Sequence, residues 1–282
     1  MTTSLCSQAA RDSGDDPAGS AAEFSSFLLL DRREPWSATA AEDAVAALEP
    51  ATAIAVAQRP GLRAFAIRSV HPRRAGSRQD YLGAAGPDGF LAPLTHWPVP
   101  ADITGLEAHR ATDTGTPMFA VCTNGKRDRC CAIVGRGVAV DLHERHGDAV
   151  VEISHLGGHR YAGTMLVLPW AYAYGFLDPA AAAAVADAAR EGLVHPGGLR
   201  GRADLSPVAQ AAEVLLRREM VPAGPDAVRI RSVSHLERET VEVRAEVRGD
   251  AVTLRMVRHP GPKIGETLCG GKPFATGRWD RV

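Results

Sequence analysis

Residues 161–177, YAGTMLVLPWAYAYGFL, run for seventeen positions without a charge. How so apolar a segment is buried limits the fold more than any other stretch of the chain. It falls short of the about 20 residues that a helix needs to cross a bilayer. Pro169 interrupts it, and the alternation Met165/Val167, then Tyr172/Tyr174, has the period of two buried strands. The reading is therefore a strand pair, 163–169 and 170–177, inside a sheet.

The neighbouring segments supply the rest of that sheet. PMFAVCT (117–123) reads as a strand ending at Cys122, and a helix follows from about Arg129 to Arg145 with Asp128 as its N-cap. DAVVEIS (148–154) is a strand with HLGGH immediately beyond it. Asp178-Pro179 starts an Ala-rich helix over 179–191. The order β-α-β-β-β-α is that of a thioredoxin-like fold with one helix missing or shrunk.

Upstream, FLLLD (27–31) reads as a strand, 38–48 as a helix, and TAIAVAQ (52–58) and LRAFAIRSV (62–70) as two more strands joined through Pro60-Gly61. That unit is β-α-β-β and echoes part of the thioredoxin order. Residues 84–115, rich in Gly and Pro, read as irregular connection, and 1–23 as flexible by composition. Downstream, HPGGLRGRAD reads as a linker, 207–219 as a helix behind Ser206-Pro207, and 240–247 with 251–257 as a hairpin around Gly249-Asp250. The tail CGGKPFATGRWDRV reads as irregular. The expected architecture is α/β: an N-terminal unit over 1–112, a thioredoxin-like domain over 113–194, and a helix-plus-hairpin extension over 195–282 that packs on it.

Charge narrows the function classes. The formal net charge is −1, so no global field recruits nucleic acid or anionic membrane. The first residues, MTTSLCSQAARDSGDD, lack the charged and apolar regions of a secretory signal. Five cysteines, an odd number unevenly spread, make a poor disulfide framework and suit a reducing compartment. A soluble, cytoplasmic protein is expected.

Three of those cysteines fall in CTNGKRDRCC (122–131), and HLGGH (155–159) follows the next strand. Cys130 and Cys131 sit at a helix N-terminus, whose partial positive charge favours thiolate, and Lys126, Arg127 and Arg129 add to it. Two glycines between His155 and His159 argue against a helix and for a tight loop. In a thioredoxin-like sheet the loops after the first and second strands share an edge, so two sulfurs and two imidazoles can meet there.

The blandest account is core cysteines and surface histidines. Against it stands the convergence of the whole constellation on one edge. A zinc site is chemically reasonable, but eight residues separate Cys122 from Cys131 and the usual finger spacing is missing. Thiol exchange is a third reading, without the expected C-x-x-C. An iron–sulfide cluster fits the wide loop better, because two metals need a larger cradle than one.

CTNGKRDRCCA followed by HLGGHRYAGTMLVLPWAYAYG resembles the sucrase/ferredoxin-like family, which is related to thioredoxin-like [2Fe–2S] ferredoxins. The resemblance extends to residues 5–36, which favours order over flexibility near the N-terminus. It implies one [2Fe–2S] cluster, with Cys122 and Cys131 on one iron and His155 and His159 on the other. Cys130 is then a neighbour, and Asn124 stands where members often carry His. The function read from it is electron transfer, with a carrier favoured over a catalyst that has its own substrate; the ring N–H that each liganding imidazole keeps predicts coupling to protons.

A zinc-binding Cys₂His₂ interaction module and a metal-free thiol oxidoreductase are the alternatives. Glycoside hydrolysis is not favoured, since no acidic pair sits at an evident cleft. GRGVAV (135–140) lacks the context of a dinucleotide fingerprint. Electrons must then come from a partner protein or a small reductant, with Lys126, Arg127 and Arg129 as a docking rim. Neither the oligomeric state nor a role for Cys6 and Cys269 is legible.

Overall fold

The computed structural model describes residues 5–71, 76–236, 239–265 and 273–282. Cys269 lies outside them. The chain opens with α1 (Cys6–Asp12), so the composition-based reading of a flexible N-terminus is corrected in favour of order. It continues through β1 (Ser26–Asp31), α2 (Ala40–Ala46), α3 (Pro50–Gln58), β2 (Leu62–Ser69), β3 (Tyr81–Ala84), β4 (Phe90–Pro93) and α4 (Pro100–Thr104). Then come β5 (Met118–Cys122), α5 (Arg129–His146), β6 (Val150–Ile153), β7 (Met165–Leu168), β8 (Tyr172–Tyr174) and α6 (Pro179–Arg190). Last are β9 (Leu199–Arg202), α7 (Pro207–Arg218), β10 (Val228–His235), β11 (Thr240–Val247), β12 (Asp250–Ile264) and β13 (Phe274–Arg281).

Strands β1 to β9 form one mixed sheet in the order β4-β3-β1-β2-β6-β5-β7-β8-β9. Its two halves share a connectivity. β1 pairs parallel with β2 and antiparallel with β3, which pairs antiparallel with β4. Likewise β5 pairs parallel with β6 and antiparallel with β7, which pairs antiparallel with β8. An antiparallel β2–β6 pairing, Ile67 opposite Ile153, joins the halves. The apolar stretch that opened the sequence reading is β7 and β8, fully buried. A second sheet, β10-β11-β12-β13, packs with β9 around α7.

Four local readings are corrected. Residues 52–58 are helical: Pro50 fills the first helical position, and the Glu49 carboxylate accepts the N–H groups of Ala51 and Thr52. Those caps, with alanine's helix propensity, outweigh the apparent alternation. The supposed irregular stretch 84–115 contains β4, α4 and a 3₁₀ segment, Leu106–Thr112. The supposed linker supplies β9, whose Leu199 and Arg200 are buried despite the flanking glycines. Residues 274–281 of the tail form β13, paired along β12, and with β10 on the other side of the predicted hairpin the sheet has four strands. No helix among the described residues is long and apolar enough to cross a membrane.

Candidate metal centre

The parallel pairing of β5 with β6 sets Cys122 opposite Ile153, so the loops after both strands leave the sheet at the same edge. α5 returns across that edge. Its Gly135 lies so close to the end of β5 that a Cβ there would run into the Cys122 carbonyl. This contact fixes how near Cys130 and Cys131 come to Cys122. Asp128 caps the helix by accepting the Cys130 N–H at 2.9 Å. Asn124 ties the loop to the first half of the chain, donating to the Ser37 carbonyl at 3.0 Å.

On the β6 side, the HLGGH loop turns through Gly157 and Gly158, both with positive φ, before a short 3₁₀ turn, His159–Tyr161. Arg200, fully buried on β9, donates to the Gly157 carbonyl at 3.0 Å and to Ser20, and its guanidinium lies against the Tyr161 ring. Burial lowers its pKa to about 10, against the opposing pull of Tyr161 and, less strongly, of Cys122 and Cys131. The sequence offered no sign of this anchor, because Arg200 sits in a stretch that reads as linker.

Of the four residues singled out as ligands, the structure gathers three. The Sγ atoms of Cys122 and Cys131 and a ring nitrogen of His155 lie within 4.8 Å of one another. The Cys131 Sγ stands 3.9 Å from His155 Nδ1. Both cysteines are buried and His155 is half-buried. The neighbouring Cys131 thiol holds the Cys122 thiol well below its ordinary pKa, against the opposing pull of burial; His155 and the Leu156 N–H add to the effect. Cys131 is pushed up in turn, by the same contact and by burial. One of the two sulfurs is thus predisposed to be a thiolate.

His159 is placed beside this group, not within it. Its Nδ1 lies 2.9 Å from Asp128 Oδ2 and 3.1 Å from Cys6 Sγ. Cys6 Sγ is in turn 3.0 Å from Cys130 Sγ. The Asp128 hydrogen bond raises the His159 pKa to about 9, with Cys130 contributing. Burial alone would raise the Asp128 carboxyl, but His159 and the Cys130 N–H hold it below its usual value. Cys6 belongs to the neighbourhood too, a role no spacing rule assigns, since 124 positions separate it from Cys130.

Lys126 and Arg127 on the loop and Arg129 at the start of α5 are exposed. A cleft of about 520 Å³ opens beside His155, lined by Arg63, Phe65, Asn124 and Arg127 among others.

Sheet and site together define a mixed α/β protein whose strand-end thiols and loop imidazole can hold a metal. The chain belongs to the sucrase/ferredoxin-like family, whose model matches residues 17–201. The matched span takes in Cys122, Cys131, His155 and His159 and leaves out Cys6. No curated protein and no solved structure matches it.

Proposed function

We propose that the protein is an electron carrier holding one [2Fe–2S] cluster on Cys122, Cys131, His155 and His159. The observation that carries this reading is the convergence of Cys122, Cys131 and His155 at the shared edge of β5 and β6. Two buried thiols and a half-buried imidazole form a donor set suited to iron, with sulfur inward and nitrogen nearer solvent. His159 fits as the fourth donor through Nε2, because Asp128 engages its Nδ1 and so selects the tautomer, as carboxylates beside metal-binding histidines do. The family membership supports a ferredoxin-like role. The matching connectivity of the two sheet halves, strand for strand, supports a thioredoxin-like origin for each.

When bound, the cluster supplies one-electron chemistry. The chain's residues do the rest. Arg200 holds the histidine loop through Gly157, and Gly135 lets α5 close on the thiols. Asp128 provides a proton acceptor at His159 Nδ1, where uptake and loss of a proton can accompany the electron. The exposed Lys126, Arg127 and Arg129 offer an acidic partner a docking rim, and the cleft beside His155 would admit a small reductant.

Iron and acid-labile sulfide analysis tests this on anaerobically purified full-length protein from iron-replete cells. About two of each per chain are expected, with a brown-red colour. Cys122→Ser and Cys131→Ser should lose both, since serine is a harder ligand, while Cys130→Ser keeps them. A colourless, iron-free wild-type preparation would remove the reading.

A further inference from the structure

The cluster reading leaves two buried thiols unused. Cys6 and Cys130 are about 1% and 0% exposed, and their sulfurs stand 3.0 Å apart. Asp128 completes a group whose donor atoms all lie within 4.8 Å of one another. The Nδ1 of His159 adjoins this group of three, 3.1 Å from Cys6 Sγ and 2.9 Å from Asp128 Oδ2. Three separate parts of the chain contribute: the start of α1, the N-terminal turn of α5 and the 3₁₀ turn that begins at the last residue of HLGGH.

We propose that Cys6, Cys130, Asp128 and the Nδ1 side of His159 form a second metal site, distinct from the cluster site and suited to Zn²⁺. Two sulfurs, one nitrogen and one carboxylate oxygen make a four-donor set of the kind zinc takes in tetrahedral geometry. Thiolates bound to one zinc at about 2.3 Å stand about 3.7 Å apart, so Cys6 and Cys130 need separate by under about 1 Å to admit the ion. Soft sulfur ligands select zinc over magnesium or calcium. Binding releases the two thiol protons and the Nδ1 proton to solvent, and oxidises nothing. With Nδ1 turned to this group and Nε2 left for the cluster, one imidazole serves both sites; zinc then takes the place of the Nδ1 proton, and proton coupling in the zinc-bound chain rests on His155. The site also explains why α1 is docked here. A helix of seven residues is too short to hold its own shape in water, and a metal would pin Cys6 to α5.

Zinc content of the full-length protein, measured after dialysis against Zn²⁺ and desalting under anaerobic conditions, tests the proposal. Wild type should keep one zinc per chain. Cys6→Ser and Cys130→Ser should lose it while retaining any iron held through Cys122 and Cys131; Cys122→Ser should do the reverse. The loss of affinity should exceed the about 10–100-fold that follows removal of an outer-shell partner. Asp128→Asn keeps an acceptor for the Cys130 N–H but gives up the carboxylate. With folding checked by circular dichroism, it stands in for any serine variant that fails to fold, and it too should bind zinc more weakly. Co²⁺ as a spectroscopic probe should give thiolate charge-transfer absorption in Cys122→Ser, and weaker absorption when Cys6→Ser is added to that variant. Zinc indifferent to Cys6 and lost with Cys122 or Cys131 would overturn the site, as would no retained zinc, or a Cys6–Cys130 disulfide in the anaerobic protein. Iron content reports separately: an iron-free chain with Cys6-dependent zinc would end the cluster reading and leave this site standing.

Discussion

His159 shows what one side chain's surroundings do to its chemistry. In the metal-free chain its pKa is raised to about 9, chiefly by the Asp128 hydrogen bond and next by Cys130. The ordinary value is about 6.5. Because the folded value is the higher one, the contact's contribution to stability is fully present below about pH 6.5 and is lost as pH rises through about 9. At the acidic end the Asp128 carboxyl, held low, loses its contribution only when it is itself protonated. Ring resonances of His159 in metal-free protein should therefore titrate near pH 9, and in Asp128→Asn much closer to the ordinary value. A wild-type midpoint at the ordinary value would mean that the Asp128–His159 contact does not form in solution. The residue types at this site were readable from the chain alone, because sulfur and imidazole clustered in sequence make a candidate metal site. Their grouping was not. Which histidine sits with which sulfur depends on the HLGGH loop, whose path is held by Arg200, a residue 41 positions beyond His159.

Elements were legible where their ends carry local chemistry. Asp128 capping α5 and Asp178-Pro179 opening α6 are both found as read, with the Asp178 carboxylate accepting the Ala181 N–H at 2.8 Å. The misread α3 has equally local signals, Glu49 and Pro50, that an alternating pattern concealed. β9 and β13 carry no strong local signal, and pairing partners far away in sequence make them strands. Gly135 tests how strictly elements are fitted together. Alanine is the better helix former, so Gly135→Ala would stabilise a free helix by about 1 kcal/mol. Here the added Cβ would meet the Cys122 carbonyl, backbone that cannot swing aside. Gly135→Ala should instead destabilise the protein by about 1–3 kcal/mol, the usual range for overpacking, read from urea denaturation. It should also weaken metal retention at Cys122 and Cys131. A stabilised variant would show that α5 does not press on the end of β5.

At the scale of the whole molecule, one buried polar network fastens the C-terminal segment to the main sheet. Glu213 on α7 accepts the Tyr172 hydroxyl at 2.5 Å and the Arg217 Nε at 2.9 Å, with Arg202 of β9 at 3.5 Å. Burial, then the Glu213 charge, pushes the Tyr172 hydroxyl well above its ordinary range, so it stays a donor. Glu213→Gln keeps the shape but leaves the buried Arg217 guanidinium without a carboxylate partner among the described residues, while Arg202 keeps its pair with Asp204. Breaking a buried pair in this way costs about 3–5 kcal/mol, which the urea midpoint would register. A loss below about 0.5 kcal/mol would show that the network carries no net weight. The sequence by itself determined the secondary elements with strong caps or long apolar runs, the α/β class and the thiol and imidazole inventory. Each of these follows from interactions within a few residues, where spacing translates directly into geometry. Tertiary structure alone decided that two halves of like connectivity merge into one nine-stranded sheet through β2 and β6. It alone brought Cys6 to Cys130 and turned His159 towards Asp128. Those outcomes depend on contacts between residues tens to hundreds of positions apart, which no local pattern encodes and only the packed chain can select.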